Sequence, residues 1–573
     1  MKQISRLALP LLAALAMLTS PGAQAARKAK DLLQYIPADT PYVLAYMEAL
    51  PNGLQDKFEP VINDTLSAYR QILDASIDDV VAEYQANEGE EEAASMRAIL
   101  DELSGLMSVD ALRDAGLGKG SLFAIYGDGL LPVMRLALTD AKAFDATIAR
   151  MEEAGDQEFL VGEVKGKAYR YRDFDNLRLV IATLGKDVVV TAVPVTFSDK
   201  RLAETLGVVK PRNSMARSKA LRRIAKEYGF TDHFAGVIDV AKIVDGIIND
   251  ANGRNVEFLQ ALGQGAPELS PVCKAEFMGM ALIAPRLVSG YTRVSDDSID
   301  TGMVVELRKD IADGLATLPA PVPGLGADFS GMLSFGFSLN PMALRNFYES
   351  RLDAMEEDPY ECELLAQLQD GLAKGREALA QPIPPIVYSF RGFLANITDI
   401  RGGDLANDEP PEEVDGSLLF AMDNAEALVT MAAMLSPEIA AINLLPDGKA
   451  RALDMPQLAA MAKEAFVALS ESALSLGLGT GARKDTEAML TAKTTDTRPL
   501  ASFSMDAKRY YEFIGQAMMQ AEPEEDEEPM PEEVRAALRD AVVSSEKLYE
   551  RMTVDVHFTG RGVEIGSRMM LAD

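Results

Sequence analysis

Tryptophan is absent from the 573 residues, and histidine and cysteine number two each. So few imidazoles and thiols exclude most His-rich and Cys-rich metal sites. No His-Glu-x-x-His occurs, which rules out a zincin, and no Gly-x-Ser-x-Gly elbow offers a serine nucleophile. The two cysteines do not form a Cys-x-x-Cys pair, so redox catalysis is not expected. Basic residues are scarce: 56 Lys and Arg against 88 Asp and Glu leave a net charge of −32. Such a surface repels phosphate backbones, and nucleic acid is not an expected partner. Beyond residue 25 no apolar run reaches the length of about 18 residues that crosses a bilayer. The best stretch, 427–445, is broken by Ser436, Pro437 and Glu438.

What is present is globular. Hydrophobic residues make up 48% and charged residues 25%, richer in apolar residues than a disordered chain and poorer than a membrane protein. At about 150 residues per domain the length alone allows about four domains. The first 25 residues read as a secretory leader. Lys2 and Arg6 make a basic start, Leu7 to Leu18 is a short apolar run, and Ala23-Gln24-Ala25 is a small-x-small cleavage site. The mature chain is then expected to start at Ala26, in the periplasm or outside the cell. No Cys follows the apolar run, so no lipid anchor and no integral membrane segment is expected after cleavage.

One local pattern recurs: a strand-like apolar run ends in Asp or Asn, and an amphipathic helix follows. It occurs at Asp140, Asp239, Asn340, Asp423 and Asp506. At a strand-to-helix turn such a side chain accepts hydrogen bonds from orphan N–H groups of the new helix. These five are expected to be helix caps and not catalytic groups. The order of landmarks also repeats at nearly constant separation. Asp140 matches Asp423, Gly166-Lys167-Ala168 matches Gly448-Lys449-Ala450, and 181–190 resembles 467–476. Asp239 matches Asp506, and 284–290 resembles 559–566. The expected class is therefore α+β, built as two tandem similar domains. Closely spaced strands favour antiparallel pairing, with helices packed on one face of each sheet. The first copy would span 26–318, a Pro/Gly linker 319–326, and the second copy 327–573 with an acidic loop at 522–533. Residues 461–474 read either as one helix or as part of a hairpin; the match to the first copy favours strand.

Cys273 and Cys362 are expected to form a disulfide in an oxidising compartment. The loop so closed would restrict the unfolded chain by about 4.5 kcal/mol. Other motifs are weaker. Ser544-Ser-Glu-Lys547 lacks the companion motifs of penicillin-recognising enzymes. The run Gly477-Leu-Gly-Thr-Gly481 lacks Walker spacing and reads as a turn. His233 precedes a strand, and His557 lies within the last hairpin, where it is expected as a polar strand residue and not as a catalytic base. Acidic clusters at 88–92, 408–415 and 522–533 read as solvated segments. In contrast, Lys210, Arg212, Arg217, Lys219, Arg222, Arg223 and Lys226 crowd one basic segment. With Leu221, Ile224 and Ala225 as a buried stripe, this face offers contact with anionic headgroups or an acidic partner, or pairing with the chain's own carboxylates.

The segment Leu33-Gln-Tyr-Ile-Pro-Ala-Asp-Thr-Pro-Tyr-Val-Leu-Ala45 resembles the opening of a group of exported proteobacterial proteins of unknown function. Lys226-Glu-Tyr-Gly-Phe-Thr-Asp-His233 is similar to a middle segment of that group. The resemblance implies an envelope protein and transfers no catalytic residue. The expectation is a non-enzymatic binding protein without cofactor, metal or catalytic residues. Its partner would be an envelope protein, or an apolar ligand held between sheet and helices. Peripheral membrane contact is compatible with it. An envelope hydrolase using dispersed Asp and Glu, or a lipid or lipoprotein carrier, are the alternatives.

Overall fold

The computed structural model describes residues 32–572 except 119–120, 156–158, 251–252, 266, 328–330, 403–410, 436, 455–461 and 521–531. The expected leader and most of the acidic loop 522–533 lie outside the described residues, as does part of the 408–415 cluster.

Residues 42–306 supply ten strands: β1 Tyr42–Tyr46, β2 Phe123–Asp128, β3 Leu131–Ala137, β4 Leu160–Val164, β5 Lys167–Phe174, β6 Leu177–Leu184, β7 Asp187–Pro194, β8 Phe234–Asp239, β9 Arg286–Val294 and β10 Ser298–Glu306. Residues 333–571 supply nine: β11 Leu333–Ser338, β12 Phe390–Arg401, β13 Glu413–Met422, β14 Arg451–Ala452, β15 Ala465–Leu469, β16 Ala473–Leu478, β17 Ala501–Asp506, β18 Tyr549–Thr559 and β19 Gly562–Leu571. All pair antiparallel in one continuous sheet. The first half runs β4-β5-β6-β7-β3-β2-β1-β8-β9-β10 from its outer edge inward. The second runs β14-β15-β16-β13-β12-β11-β17-β18-β19. Apart from β4, the two orders agree place by place. The class is α+β, as expected from the spacing of strands.

The hairpin reading of 461–474 holds where it is described: β15 and β16 pair across Ser470–Ser472, in the place that β6 and β7 occupy in the first half. One landmark is corrected. Residues 284–290 lead into β9, whose counterpart in strand order is β18, whereas 559–566 is the β18–β19 turn and the start of β19.

The helices used below are α1 Asn52–Glu88, α2 Glu90–Gly105, α3 Val109–Asp114, α4 Ala141–Ala154, α5 Asp199–Thr205, α6 Met215–Ser218, α7 Ala220–Tyr228, α8 Val240–Ile248, α9 Pro271–Ala281, α10 Pro341–Glu357, α11 Glu363–Ala366, α12 Asp370–Ala380, α13 Ala425–Leu435, α14 Ala482–Thr491, α15 Ala507–Gln520 and α16 Glu532–Ser544. They cover both faces of the sheet, not one. The reason is legible in β7, where neighbouring valines face opposite ways. Val188 packs with Phe123, Leu136 and Phe144 on the front. Val189 joins Leu131-side residues, α5 and α7 in the back core. A strand apolar on both faces needs cover on both.

Within the back core sits a buried ion pair. Arg135 and Asp187 have side chains only 1% and 2% exposed, 3.4 Å apart. The Arg135 guanidinium also donates to the Leu206 carbonyl at 2.6 Å and lies 3.9 Å from the centre of the Tyr35 ring. Gly207, at φ +72°, lets the chain pass against it; a Cβ there would stand 2.6 Å from the guanidinium.

The Pro/Gly segment 319–326 is not a solvated tether. Val322 and Leu325 are 1% and 2% exposed and pack with Leu394, Leu419 and Met489 of the second half. The halves join at a seam where β10 pairs with β19 over nine residues, with Gly302 opposite Gly566. Helices then cross the seam in both directions. From the first half, α1 packs on α16 of the second, with Leu54 beside Leu548 and Leu571. From the second half, α11 packs on α9 of the first, with Leu365 against Phe277 and Met280.

Candidate functional site

Two concave sites stand out among the described residues. The first is an apolar cavity of about 220 Å³ between the front of the sheet and helices α1 to α4. Its floor is Met134 and Leu136 of β3 with Val188 and Val190 of β7. Its roof is Leu66, Leu103, Leu106, Met107 and Leu112, and Phe144, Thr147, Ile148 and Met151 of α4 close one side. The only polar side-chain atom offered by these residues is spoken for: Thr147 donates to the Ala143 carbonyl at 3.1 Å. Water entering the cavity would find too few partners, so the site favours hydrocarbon. The amphipathic pattern of α4 explains its position. Asp140 caps the helix by accepting from Lys142 and Ala143 N–H, and this aims Phe144, Ile148 and Met151 at the sheet.

The second site is a polar cleft of about 310 Å³ on the back of the sheet at the seam. Thr292, Asp300, Thr301, Ser502, Ser504, Thr553, Asp555, Ser567 and Arg568 line it, with Gly326, Ala327 and Gly566. Strand register sets its floor: Ser502, Asp555, Gly566 and Gly302 lie side by side across β17, β18, β19 and β10, next to Ser504, Thr553, Arg568 and Asp300. Arg568 reaches both Asp300 oxygens at 3.3 Å. One Asp555 carboxylate oxygen is buried with no hydrogen-bond partner among the described residues.

The residues singled out in the sequence have these places. Cys273 and Cys362 form a disulfide, tying α9 to the start of α11. Glu276 strengthens this clasp by accepting from the N–H of Glu361 at 2.7 Å and of Cys362 at 3.0 Å. Asp239 caps α8 through Lys242 N–H. Asn340 caps α10 through Met342 and Ala343 N–H. Asp506 accepts from Arg509 N–H at 3.1 Å in the first turn of α15. Asp423 is the exception: its carboxylate bonds Arg391. The cap of α13 falls to the next residue, Asn424, which accepts from Ala427 N–H at 3.0 Å. A nearby guanidinium offers a carboxylate more than a backbone amide does.

All seven basic residues from Lys210 to Lys226 are exposed, and none is within salt-bridge distance of a described carboxylate. Leu221 and Ala225 are buried beneath them and Ile224 is partly buried, as the stripe required. Pairing with the chain's own carboxylates therefore does not neutralise this face among the described residues. Its polar contacts are Lys210 to Gln34 at 2.9 Å and Arg217 to the Arg212 carbonyl at 2.7 Å.

The weaker motifs have structural partners. Thr480 N–H, in the Gly477–Gly481 turn, points at Asp415, which Arg401 holds at 3.0 Å; a carboxylate fills the place a phosphate would take. Lys547 stands 3.5 Å from Asp64. His233 contacts Thr231 two residues away at 3.2 Å, and burial holds its pKa below the usual imidazole value against the pull of Glu48 and Asp232. No group of three or more His, Cys, Asp or Glu among the described residues is arranged to hold a metal ion, and no described helix is long and apolar enough to cross a membrane.

Neither concave site was foreseen by residue. The alternation of Asp300, Gly302, Glu564, Gly566 and Arg568 on β10 and β19 signals a polar strand face, but only the register of the seam makes it a cleft. No family model, curated protein or solved structure matches the chain.

Proposed function

We propose that the chain is an exported envelope protein that binds an apolar ligand, an aromatic ring or the end of an acyl chain, in the cavity under α1 to α4. The observation that carries this reading is the cavity itself: about 220 Å³, lined by apolar side chains with no unanswered hydrogen-bonding group. A core cavity of about 150 Å³ with such walls stays dry and takes benzene. The disulfide, the oxidising compartment it implies, and the leader-like first 25 residues support export. The repeated strand order supports reading the halves as tandem copies. The resemblance of residues 33–45 to exported proteobacterial proteins agrees with an envelope location. The basic α6–α7 face lies on the opposite side of the sheet, so contact with an anionic surface there leaves the cavity side free. Peripheral docking on acidic headgroups is part of the same proposal.

The test is direct. Organic extracts of the purified protein, read by mass spectrometry, are expected to contain an apolar compound in stoichiometric amount. Protein stripped of it is expected to gain thermal stability with toluene, as any ligand of the native state confers. Ala115, 2% exposed at the cavity wall, is the place to fill it. Ala115→Phe is expected to abolish both effects. Empty extracts together with no toluene response would sink the proposal.

A further inference from the structure

We propose that the polar cleft at the seam is a carbohydrate site, taking one neutral hexose-sized unit whose hydroxyls donate to Asp555. The inference is independent of the apolar cavity, which lies on the other face of the sheet.

Three properties of the cleft select this chemistry. Its volume of about 310 Å³ is at the small end of the ~300–1,000 Å³ range of ligand sites. Thr292, Ser502 and Thr553 present hydroxyls that make no hydrogen bond to other described residues, and each can donate and accept. The buried Asp555 oxygen lacks a donor among the described residues, and leaving such an acceptor unmet is costly. A sugar, with neighbouring hydroxyls that donate and accept in turn, answers both needs at once.

The competing ligand classes fit less well. An anion would meet two carboxylates, Asp300 and Asp555, against a single guanidinium already engaged by Asp300. A bare divalent cation would want more oxygen ligands of fixed geometry than two carboxylates supply. An apolar group would strand the hydroxyls and the Asp555 oxygen. Space for the ring comes from the seam. Gly302 and Gly566 lie opposite each other, so the middle of the floor carries no side chain. A Cβ built on Gly566 meets nothing within 4 Å. The floor is four hydrogen-bonded strands from both halves, which holds the polar groups in place before a ligand arrives.

The experiment is calorimetric titration of the full-length exported protein with glucose, mannose and N-acetylglucosamine, alongside sodium phosphate and calcium chloride. Saturable heat with at least one sugar, and none with phosphate or calcium, is expected. Asp555→Asn is expected to weaken that binding about ten- to hundredfold, the range for losing hydrogen bonds to a charged group. Gly566→Phe is expected to abolish it by filling open space, and Thr553→Val to weaken it while circular dichroism stays native. Circular dichroism and the urea unfolding transition serve as the check that each variant is folded; both should match wild type. No heat with any of the three sugars up to about 10 mM, a very weak affinity, overturns the proposal. So does sugar binding that Gly566→Phe and Asp555→Asn leave intact, or binding of phosphate in place of sugar.

Discussion

Removing the Cys273–Cys362 bond tests both the architecture and the compartment. The bond closes a sequence separation of 89 residues, from α9 of the first half to α11 of the second. Loop-closure entropy for that length corresponds to about 4.5 kcal/mol at 25 °C. The effect acts on the unfolded chain, because the native contacts around the bond do not depend on it. Leu365, Phe277, Met280 and Tyr360 remain packed, and Glu276 still accepts from the Glu361 and Cys362 amides. Alanine is the cleaner replacement, since Cys273 and Cys362 are 5% and 1% exposed and serine would bury an unmatched hydroxyl. The double variant Cys273→Ala/Cys362→Ala, and the reduced wild type, are expected to unfold in urea about 2–4.5 kcal/mol less stable than the oxidised protein. Their circular dichroism spectra should match that of the native protein. Refutation is equally definite: a loss below about 1 kcal/mol would show that loop closure is not what the bond contributes. Two titratable thiols in unreduced, denatured protein would show that the bond is not made.

Other outcomes follow from features already described. Arg135→Met alone takes the guanidinium away from the buried Asp187 carboxylate and should cost about 3–5 kcal/mol, while Arg135→Met/Asp187→Leu should recover much of it; equal losses in single and double variants would refute the pairing. Reversing charge at Arg222, Arg223 and Lys226 to Glu should abolish co-sedimentation with vesicles containing phosphatidylglycerol. Wild-type binding to those vesicles should fade as salt is raised, and binding that ignores either change would remove membrane contact from the proposal. His233 has a depressed pKa in the folded state, so the unfolded chain takes up its proton first as pH falls. Its contribution is present above the unfolded value of about 6.5 and is lost as pH falls through the folded one. Stability in urea should therefore decline less steeply between about pH 7 and pH 5 in His233→Asn than in wild type, and parallel curves would refute the assignment.

Local chemistry made much of this fold readable. The Asp or Asn at a strand end identified the starts of α4, α8, α10 and α15, because a short acceptor before an amphipathic run has few other uses. It misassigned Asp423 by one residue, since the competing guanidinium of Arg391 comes from β12, a strand remote in sequence. The pairing of two cysteines followed from count and compartment. Cover on both sheet faces was written in the adjacent valines of β7, yet periodicity says only that two faces are apolar and not what covers them. The candidate sites were the least legible. An apolar cavity is a failure of side chains from six elements to fill space between them, and no single element records it. The cleft depends on which residues of β10 and β19 stand opposite, a register set by contacts between residues more than 250 positions apart.

The seam between β10 and β19 sets a condition on any attempt to divide the protein. A chain ending after β10 would expose nine residues of unpaired strand edge, and α1 would lose the α16 surface it rests on. Antiparallel pairing is its own complement: a strand that runs against β19 can equally run against another β10. An isolated first half is thus equipped to find a second copy of itself, closing the exposed edge about a twofold axis. The single polypeptide reaches that closed state without depending on concentration.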